Sequence, residues 1–283
     1  MFANGDRSAD PDHAVALAVA AEQAGYESLW AVQHVVMPVA HASRYPYSAD
    51  GTVPGGVAVA IPDPLVWLAY VAAATSTIGL ATGVLVLPQL NALVVAKQAA
   101  TLDRLSRGRC LLGVGVGWLR EEFEALGAAF EGRGARLDEQ LAVLRAAWAD
   151  DIVAHHGPTM TFAGLAVEPK PLGRRIPIIV GGHTPAAVRR AARLGDGFFP
   201  LGVRGAALGE MVGDLRRRVV EAGRADGAVG VTADAPRTPE EARVIVETGV
   251  ERVVVNAPAV PAGALPDALA ERLADVRRAL TGA

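Results

Sequence analysis

The sequence predicts a (β/α)8 barrel, or TIM barrel, that forms a single domain over residues 1–283. Short apolar or β-branched segments alternate with longer amphipathic segments, and eight such pairs fit along the chain. The length of 283 residues is also typical of one barrel of this kind. An open, doubly wound parallel sheet is the alternative architecture that the same alternation allows.

Each predicted strand is short and mostly apolar. The strands are expected at residues 1–5, 28–34, 78–87, 110–116, 176–182, 197–202, 230–235 and 252–257. Because parallel strands of a barrel are covered on both faces, a functional site is expected where their carboxyl ends meet. The first strand is short at its beginning, so the natural strand is expected to begin before Met1.

Amphipathic segments between these strands predict the helices. They are expected at residues 11–24, 64–75, 91–106, 119–148 with a break near Gly132, 185–194, 207–222, 239–248 and 265–280. Thr184 and Thr238 each precede a proline and are the expected N-caps of their helices. Glycines that favour a left-handed helix end follow four of the segments, at Gly25, Gly108, Gly195 and Gly249.

Two insertions interrupt this alternation. The first, Val35–Asp63, follows the second strand and is rich in Pro, Gly and Tyr. Long loops in a compact barrel are usually functional, so we expect this insertion to cover a substrate and to determine its choice. The second, Ile152–Arg175, precedes the fifth strand and is expected to be a surface hairpin.

Composition excludes several classes of function. Apolar residues make up 51% of the chain and the formal net charge is −3, which argues against disorder and against nucleic-acid binding. The single cysteine, Cys110, cannot form an internal disulfide, and no Cys or His spacing predicts a metal site. The N-terminus lacks the pattern of a secretion signal, so a cytoplasmic location is expected. No charge occurs between Asp63 and Lys97, but a helix, a polar break and a strand divide that stretch, which argues against a membrane span.

Two glycine-rich motifs are candidate binding sites. In GVGVGW, Trp118 stands where a dinucleotide fingerprint needs its third glycine, so a Rossmann-type cofactor is disfavoured. The alternating glycines there either let a flat ring lie against the backbone or allow close packing of neighbouring strands. IVGGHTPAAV joins a strand end to a capped helix, which indicates either an anion site or an ordinary capped junction.

Three side chains with acid–base chemistry stand near predicted strand ends. His34 closes the second strand, at the rim where barrels place catalytic groups, although a single histidine there is also compatible with a structural role. Glu121 and Glu122 begin the helix after Trp118. Their placement is typical of acids that stabilise the first turn of a helix, and they do not form a convincing acid–base pair.

Several motifs occur in order over residues 11–202: WAVQHVVMP, ATGVLVLP, KQAATLDRLSRGR, LLGVGVGWLREEFEALG, EPKP and IPIIVGGHTPAAVRRAARLGDGFFPLG. Together they closely resemble the luciferase-like monooxygenase superfamily, in particular its coenzyme F420-dependent oxidoreductases. The resemblance implies a (β/α)8 barrel that binds a flavin or a deazaflavin at the carboxyl ends of its strands, and a homodimer.

The resemblance also assigns residues. A non-prolyl cis peptide between Gly83 and Val84 is implied behind the cofactor ring, and His34 matches a rim histidine that donates or accepts a proton. The implied cofactor-binding residues are Thr82, Gly83, Val84, Gly115, Val116, Gly117, Gly181, Gly182, His183 and Thr184. Some sugar-phosphate dehydrogenases of this family have acids where this chain has Gln33 and Trp118, so that substrate class is disfavoured. Trp118, Trp30, Tyr45 and Tyr47 indicate a more apolar substrate pocket.

The predicted function is hydride transfer between coenzyme F420 and a small organic substrate, with His34 handling the proton. One alternative is an FMN-dependent monooxygenase that takes reduced flavin from a partner reductase and activates oxygen. Another is a barrel without catalytic activity that binds a phosphorylated ligand.

Overall fold

A computed structural model describes residues 1–3, 7–48 and 50–282 of the protein. Its strands are β1 Ser28–Ala31, β2 Gly79–Thr82, β3 Leu85–Val86, β4 Cys110–Gly115, β5 Val153–His156, β6 Thr161–Leu165, β7 Ile178–Gly181, β8 Gly197–Phe199, β9 Gly230–Asp234 and β10 Arg252–Val254. The main sheet is parallel, in the order β1-β2-β4-β7-β8-β9-β10, with β3 also paired to β4.

The N-terminal segment closes this sheet into a barrel. Phe2 forms parallel bridges both to Trp30, in β1, and to Asn256, which follows β10. Its amide donates to the carbonyl of Val255 at 2.7 Å, and its carbonyl accepts from Ala257 at 2.9 Å. The predicted (β/α)8 barrel is therefore confirmed and the open sheet is excluded. Of the strand predicted at residues 1–5, Phe2 makes the pairing, and residues 4 and 5 lie outside the described residues.

Helices cover the outside of the barrel: α1 Pro11–Ala24, α2 Pro64–Ala72, α3 Ala92–Leu105, α4 Arg120–Ala125, α5 Arg133–Ala149, α6 Pro185–Leu194, α7 Gly205–Glu221, α8 Pro239–Glu247 and α9 Leu265–Thr281. The break predicted near Gly132 is confirmed and separates α4 from α5. Both threonine N-caps are confirmed, since Thr184 and Thr238 each accept from the amide three residues later at 3.2 Å. No helix among the described residues is long and apolar enough to cross a membrane.

One predicted helix end has a different cause. Gly25, Gly108 and Gly249 have positive φ, as expected, but Gly195 has a φ of −87°. A Cβ at Gly195 would lie 2.9 Å from the carbonyl oxygen of Gly197. Close packing, and not a left-handed turn, therefore favours glycine at this position.

The strands are shorter than predicted at their carboxyl ends. The segment predicted as one strand over residues 78–87 is divided into β2 and β3, because a cis peptide between Gly83 and Val84 interrupts it, and a 3₁₀ helix over Leu87–Gln89 follows. Residues 32–34 likewise leave the ladder after β1. The second insertion forms the antiparallel pair β5 and β6, which confirms the predicted hairpin.

Aromatic rings fill the barrel interior below the strand ends. Phe199 stacks on Phe2 with their ring centroids 5.9 Å apart. The rings of Phe199 and Trp30 form a T-shaped pair with their centroids 5.4 Å apart. Phe199 is 1% exposed. These rings join the closing segment at the N-terminus to strands on both sides of it.

We expect Phe199→Ala to lower the free energy of unfolding by about 3–5 kcal/mol, because it removes a buried ring and leaves a cavity. Urea titration followed by circular dichroism measures the change. Val246→Ala, at a half-exposed position on α8, is the control and is expected to change stability by less than about 0.5 kcal/mol. Equal effects of the two substitutions would contradict this account of the core.

Candidate functional site

A cavity of about 550 Å³ opens at the carboxyl ends of the barrel strands. Its wall is formed by residues that follow β1, β2, β4, β7 and β8, and by part of the first insertion. This size lies within the range of small-molecule and cofactor sites. The cavity is therefore at the place where a (β/α)8 barrel positions its chemistry.

Nearly all of the site residues predicted from sequence line this one cavity. They are His34, Tyr45, Tyr47, Gly83, Val84, Gly115, Val116, Gly117, Trp118, Gly181, Gly182, His183 and Thr184. The structure thus brings them together, while their roles in binding stay predictions. Thr82 and Trp30 are the exceptions. Thr82 is buried below the cavity, and its hydroxyl donates to the carbonyl of Gly113 at 2.6 Å. Trp30 is fully buried and packs against Phe2 and Phe199 in the barrel interior, so its assignment to the substrate pocket is wrong.

The floor of the cavity is formed where the chain leaves β2. The peptide between Gly83 and Val84 is cis, as the resemblance implies. A Cβ at Gly115 would lie 2.7 Å from Cγ2 of Val84, and a Cβ at Gly181 would lie 2.8 Å from its Cγ1. The missing side chains of Gly115 and Gly181 therefore make room for Val84, so close packing of neighbouring strands explains why glycine is needed there.

His34 lies on the wall beside a buried carboxylate. Its Nδ1 is 3.2 Å from Oε2 of Glu122, which is 1% exposed. The other carboxylate oxygen accepts from the backbone amides of Val35 at 2.7 Å and Val36 at 3.3 Å. Gln89 donates its side-chain amide to Oε2 at 3.1 Å. Each oxygen of this carboxylate is thus hydrogen-bonded.

These hydrogen bonds decide the ionisation of Glu122. Burial by itself raises the pKa of a carboxyl group, but the hydrogen bonds from His34, Gln89 and Val35 outweigh it and hold the pKa of Glu122 below its usual value. The side chain is therefore a carboxylate at neutral pH. It places one negative charge against the imidazole of His34.

The expectation that Glu122 is only a first-turn acid is wrong. A signal for its burial is present in the sequence: Leu119 and Phe123 mark the buried face of α4, and Glu122 follows Leu119 by three residues, on that same face. The side chain therefore points inward although its residue type favours the surface. Sequence reasoning also missed Arg133 and Arg190 as residues of the cavity wall.

Aromatic rings form an arc along the cavity wall. The ring centroids of Trp118 and His34 are 6.0 Å apart, and those of Tyr45 and Trp118 are 5.4 Å apart. Tyr47 is 5.3 Å from Tyr45 and also 5.3 Å from His183. Tyr45 and Tyr47 come from the first insertion, so this segment contributes to the cavity wall; its role as a substrate cover stays a prediction.

Burial raises the pKa of Tyr47 to about 12, and the neighbouring Tyr45 and Asp234 act in the same direction. The hydroxyl is therefore neutral at physiological pH. The arc presents uncharged rings to the cavity, apart from histidine. This wall suits a neutral, largely apolar molecule.

Glu121 attaches the first insertion to the barrel. Its Oε1 accepts from the amides of Ala42 at 2.7 Å and Ser43 at 3.1 Å. Hydrogen bonds from the side chain of Ser43 and from these amides lower the pKa of Glu121 to about 2. The two adjacent glutamates of α4 thus face different partners, Glu122 toward His34 and Glu121 toward the insertion.

The opposite end of the cavity is suited to an anion. Thr184 caps the first turn of α6, which leaves backbone N–H groups without an intrahelical partner and carries the positive end of the helix dipole. Nδ1 of His183 is buried and has no hydrogen-bond partner among the described residues. Arg133 also lines the cavity; its guanidinium donates to the carbonyls of Gly117 at 3.2 Å and Phe130 at 3.3 Å, and no carboxylate in the described part of the chain lies within ion-pair distance of it. Arg190, by contrast, is paired with Asp138.

Metal ligands are not gathered at this site. Within residues 1–3, 7–48 and 50–282, no three His, Cys, Asp or Glu side chains are grouped so that they could hold a metal ion. The polar groups of the cavity are instead the imidazole of His34 with the carboxylate of Glu122 at one end, and His183 with the first turn of α6 at the other.

The chain matches the model of the luciferase-like monooxygenase family over residues 2–279. The protein belongs to this family. An uncharacterized protein of Mycobacterium tuberculosis is 32% identical over 274 residues, which cover 95% of each chain. The family resemblance inferred from the sequence motifs is therefore confirmed.

Named relatives use two different cofactors. An F420-dependent glucose-6-phosphate dehydrogenase of Kineococcus radiotolerans is 32% identical over 77% of this chain and 61% of its own length. An FMNH2-dependent dimethylsulfone monooxygenase of Pseudomonas fluorescens is 35% identical over 62% of this chain and 48% of its own length. Oxidoreductases and monooxygenases thus both occur among the similar proteins.

Solved structures share the fold. The monooxygenase RslO1 from Streptomyces bottropensis matches with a TM-score of 0.66 at 24% identity, over 100% of this chain and 79% of that one. An F420-dependent secondary alcohol dehydrogenase in complex with an F420–acetone adduct matches with a TM-score of 0.65 at 20% identity, over 83% of this chain and 69% of that one. At these identities the likeness is one of fold.

We expect Glu121→Gln to loosen the first insertion, because the substitution removes the charge that holds the amides of Ala42 and Ser43. Hydrogen–deuterium exchange is expected to become several-fold faster at these two amides. Glu124→Gln, on the exposed side of α4, is the control and should leave their exchange unchanged. Unchanged exchange in Glu121→Gln would show that the insertion is held by other contacts.

Proposed function

We propose that the protein is an oxidoreductase that transfers a hydride between coenzyme F420 and a small, neutral organic substrate. The observation that carries this proposal is the contact between His34 and the buried carboxylate of Glu122 at the cavity wall. Hydride exchange with an alcohol or a carbonyl group needs a proton acceptor or donor at the substrate oxygen, and an imidazole serves both purposes.

The residues of the cavity fit a deazaflavin cofactor that carries a phosphate. The anion-binding end, with the α6 N-terminus, Arg133 and the unpartnered Nδ1 of His183, would hold the phosphate. The floor at Val84, which lines the cavity, would support the ring. When bound, F420 supplies the site that accepts or donates the hydride.

The substrate end of the cavity favours a neutral molecule. Glu122 contributes a negative charge there, and Trp118, Tyr45 and Tyr47 contribute uncharged rings. Arg133, a cationic side chain of the described cavity wall that forms no ion pair, already donates to the carbonyls of Gly117 at 3.2 Å and Phe130 at 3.3 Å. An anionic substrate such as a sugar phosphate would therefore face Glu122 without a compensating charge. We extend the proposal to a homodimer located in the cytoplasm, where the single buried Cys110 remains a thiol.

A second candidate is an FMN-dependent monooxygenase supplied with reduced flavin by a partner reductase. The FMNH2-dependent relative, which is 35% identical over 62% of this chain, favours it. The same anion-binding end would hold the phosphate of FMN. The two candidates differ in whether oxygen is consumed and in whether His34 is needed to move a proton to or from the substrate.

We expect purified protein to bind F420 with micromolar or tighter affinity and FMN more weakly, when both are titrated in oxidised and reduced form and ring fluorescence is followed. Secondary alcohols, ketones and unsaturated carbonyl compounds are then screened by the absorbance of F420. Tight binding of FMN alone, together with oxygen consumption in the presence of a flavin reductase, would contradict hydride transfer to F420 and support the monooxygenase.

We expect His34→Ala to lower kcat about 10²–10⁴-fold while the dissociation constant of F420 changes little, because the substitution removes proton transfer and leaves the phosphate-binding end intact. His156→Ala, on the hairpin of the second insertion, is the control and should keep wild-type kcat. An unchanged kcat in His34→Ala would exclude His34 as the proton donor or acceptor. If His34→Ala weakens the binding of F420 and the wild-type protein shows no turnover, the result would favour a barrel that only binds a phosphorylated ligand.

A further inference from the structure

Glu122 is held more firmly than its position in a first helical turn requires. Its carboxylate accepts from the amides of Val35 and Val36 and from the side chain of Gln89, and these groups come from two segments other than its own. The side chain is 1% exposed. The carboxylate is therefore fixed in place, and its Oε2 faces Nδ1 of His34 at 3.2 Å.

This arrangement determines which nitrogen of His34 carries the proton. A carboxylate accepts hydrogen bonds and does not donate them, so Nδ1 must be the donor in this contact. In the neutral ring Nε2 is then the acceptor. His34 lines the cavity, which makes its Nε2 the nitrogen available to a substrate.

We propose that Glu122 is a positioning residue: its carboxylate holds His34 as the tautomer with the proton on Nδ1 and stabilises the imidazolium that forms when Nε2 accepts a proton. This inference rests on the proposed function for its catalytic consequence. The geometry is that of an acid orienting a histidine base, in which the acid itself does not become protonated.

In oxidation of an alcohol, the carbon-bound hydrogen leaves with its electron pair as a hydride to the oxidised cofactor, and the hydroxyl proton moves to Nε2 of His34. The substrate becomes a carbonyl compound, and the imidazolium is stabilised by Glu122. In reduction of a carbonyl compound the same hydride and proton move in the opposite direction.

Other charged groups do not share this role. Among the described residues, His34 has one charged side chain within ion-pair distance, that of Glu122. The neighbouring Glu121 is turned toward Ala42 and Ser43. The nearest ring is Trp118, which is uncharged and also contacts His41 and Tyr45 of the first insertion. The imidazolium charge of His34 is therefore compensated by one carboxylate, and Glu121 is a matched control one residue away.

The tautomer of His34 is measured in the protein without cofactor, by nitrogen-15 NMR of histidine-labelled samples, with His34→Gln to assign its signals. In the wild-type protein the shifts are expected to show protonated Nδ1 and unprotonated Nε2 at high pH. In Glu122→Gln the proton is expected to distribute over both nitrogens, while Glu121→Gln keeps the wild-type pattern. A wild-type ring protonated on Nε2, or a pattern unchanged in Glu122→Gln, overturns the proposal, and the wild-type result alone decides even where the variant does not fold.

Kinetics test the catalytic part separately. We expect Glu122→Gln to lower kcat at least about 100-fold, with the dissociation constant of F420 and KM within about threefold of wild type, and to shift the pH–rate profile. Glu124→Gln, at an exposed position of the same helix, should keep the wild-type kcat and pH–rate profile. A higher KM or a weaker affinity for F420, with kcat unchanged, would mean that Glu122 only holds the insertion in place. That result would overturn its positioning role. If F420 does not bind at all, the proposed function fails, whereas the tautomer measurement still decides the role of Glu122.

Discussion

The shape of the site depends on the absence of side chains at three positions on neighbouring strands. A Cβ at Gly113 would lie 2.0 Å from the carbonyl oxygen of Thr82, and Cβ atoms at Gly115 and Gly181 would lie within 2.8 Å of Val84. The segment from Thr82 to Val84 therefore occupies the space that side chains at these three glycine positions of β4 and β7 would otherwise fill. Because this segment bulges into the barrel, β2 ends early, β3 begins again beside β4, and the floor of the cavity lies between them.

Hydrogen bonds fix this floor to the rim. The hydroxyl of Thr82 donates to the carbonyl of Gly113, and beyond the bulge the amide of Val86 donates to Oε1 of Gln33 at 2.5 Å. Gln33 directly precedes His34, so the position of the histidine is tied to the segment that forms the floor. Gln89, three residues after Val86, reaches the carboxylate of Glu122 from the same segment. One irregular connection thus positions both the floor and the acid–base pair.

The adjacent acids of α4 show how a short helix organises the cavity mouth. Glu121 and Glu122 are adjacent in sequence and carry the same charge. Their carboxylates nevertheless accept from separate sets of donors in the first insertion and at the rim. These donors keep both pKa values below the usual range, so both groups remain charged at neutral pH. The start of the insertion and His34 are consequently held by the same helical turn.

The sequence allowed most of the architecture to be predicted, because the deciding signals are local. Proline-started helices behind Thr184 and Thr238, the break at Gly132 and the hairpin of the second insertion follow from residue types within a few positions. The closing role of Phe2 was less accessible, since its partners are Trp30 and Asn256, far along the chain. Strand ends were predicted too long because rim residues stay apolar after they leave the ladder to line the cavity.

The site was predictable in its backbone motifs and less so in its side-chain contacts. Motifs placed the glycines, His34 and the aromatic residues at one end of the barrel. The contact between His34 and Glu122 joins residues 88 positions apart, and no local pattern encodes such a distance. What the local pattern does contain is the buried face of α4, on which Glu122 follows Leu119 by three residues. An acid on an apolar helix face is a stronger indication of a paired, functional group than an acid in a first turn.

The distribution of charge along the cavity gives its two ends different preferences. At one end the first turn of α6 favours a negative group, and at the other Glu122 opposes one. A bound molecule with an anionic tail is therefore oriented before any specific contact forms, with the tail toward α6 and its uncharged part toward His34. If that molecule is the proposed cofactor, the space left beside Trp118, Tyr45 and Tyr47 is bounded by rings and one carboxylate. Desolvation of a charged substrate there would not be compensated, so the same field would both orient that cofactor and favour a neutral substrate.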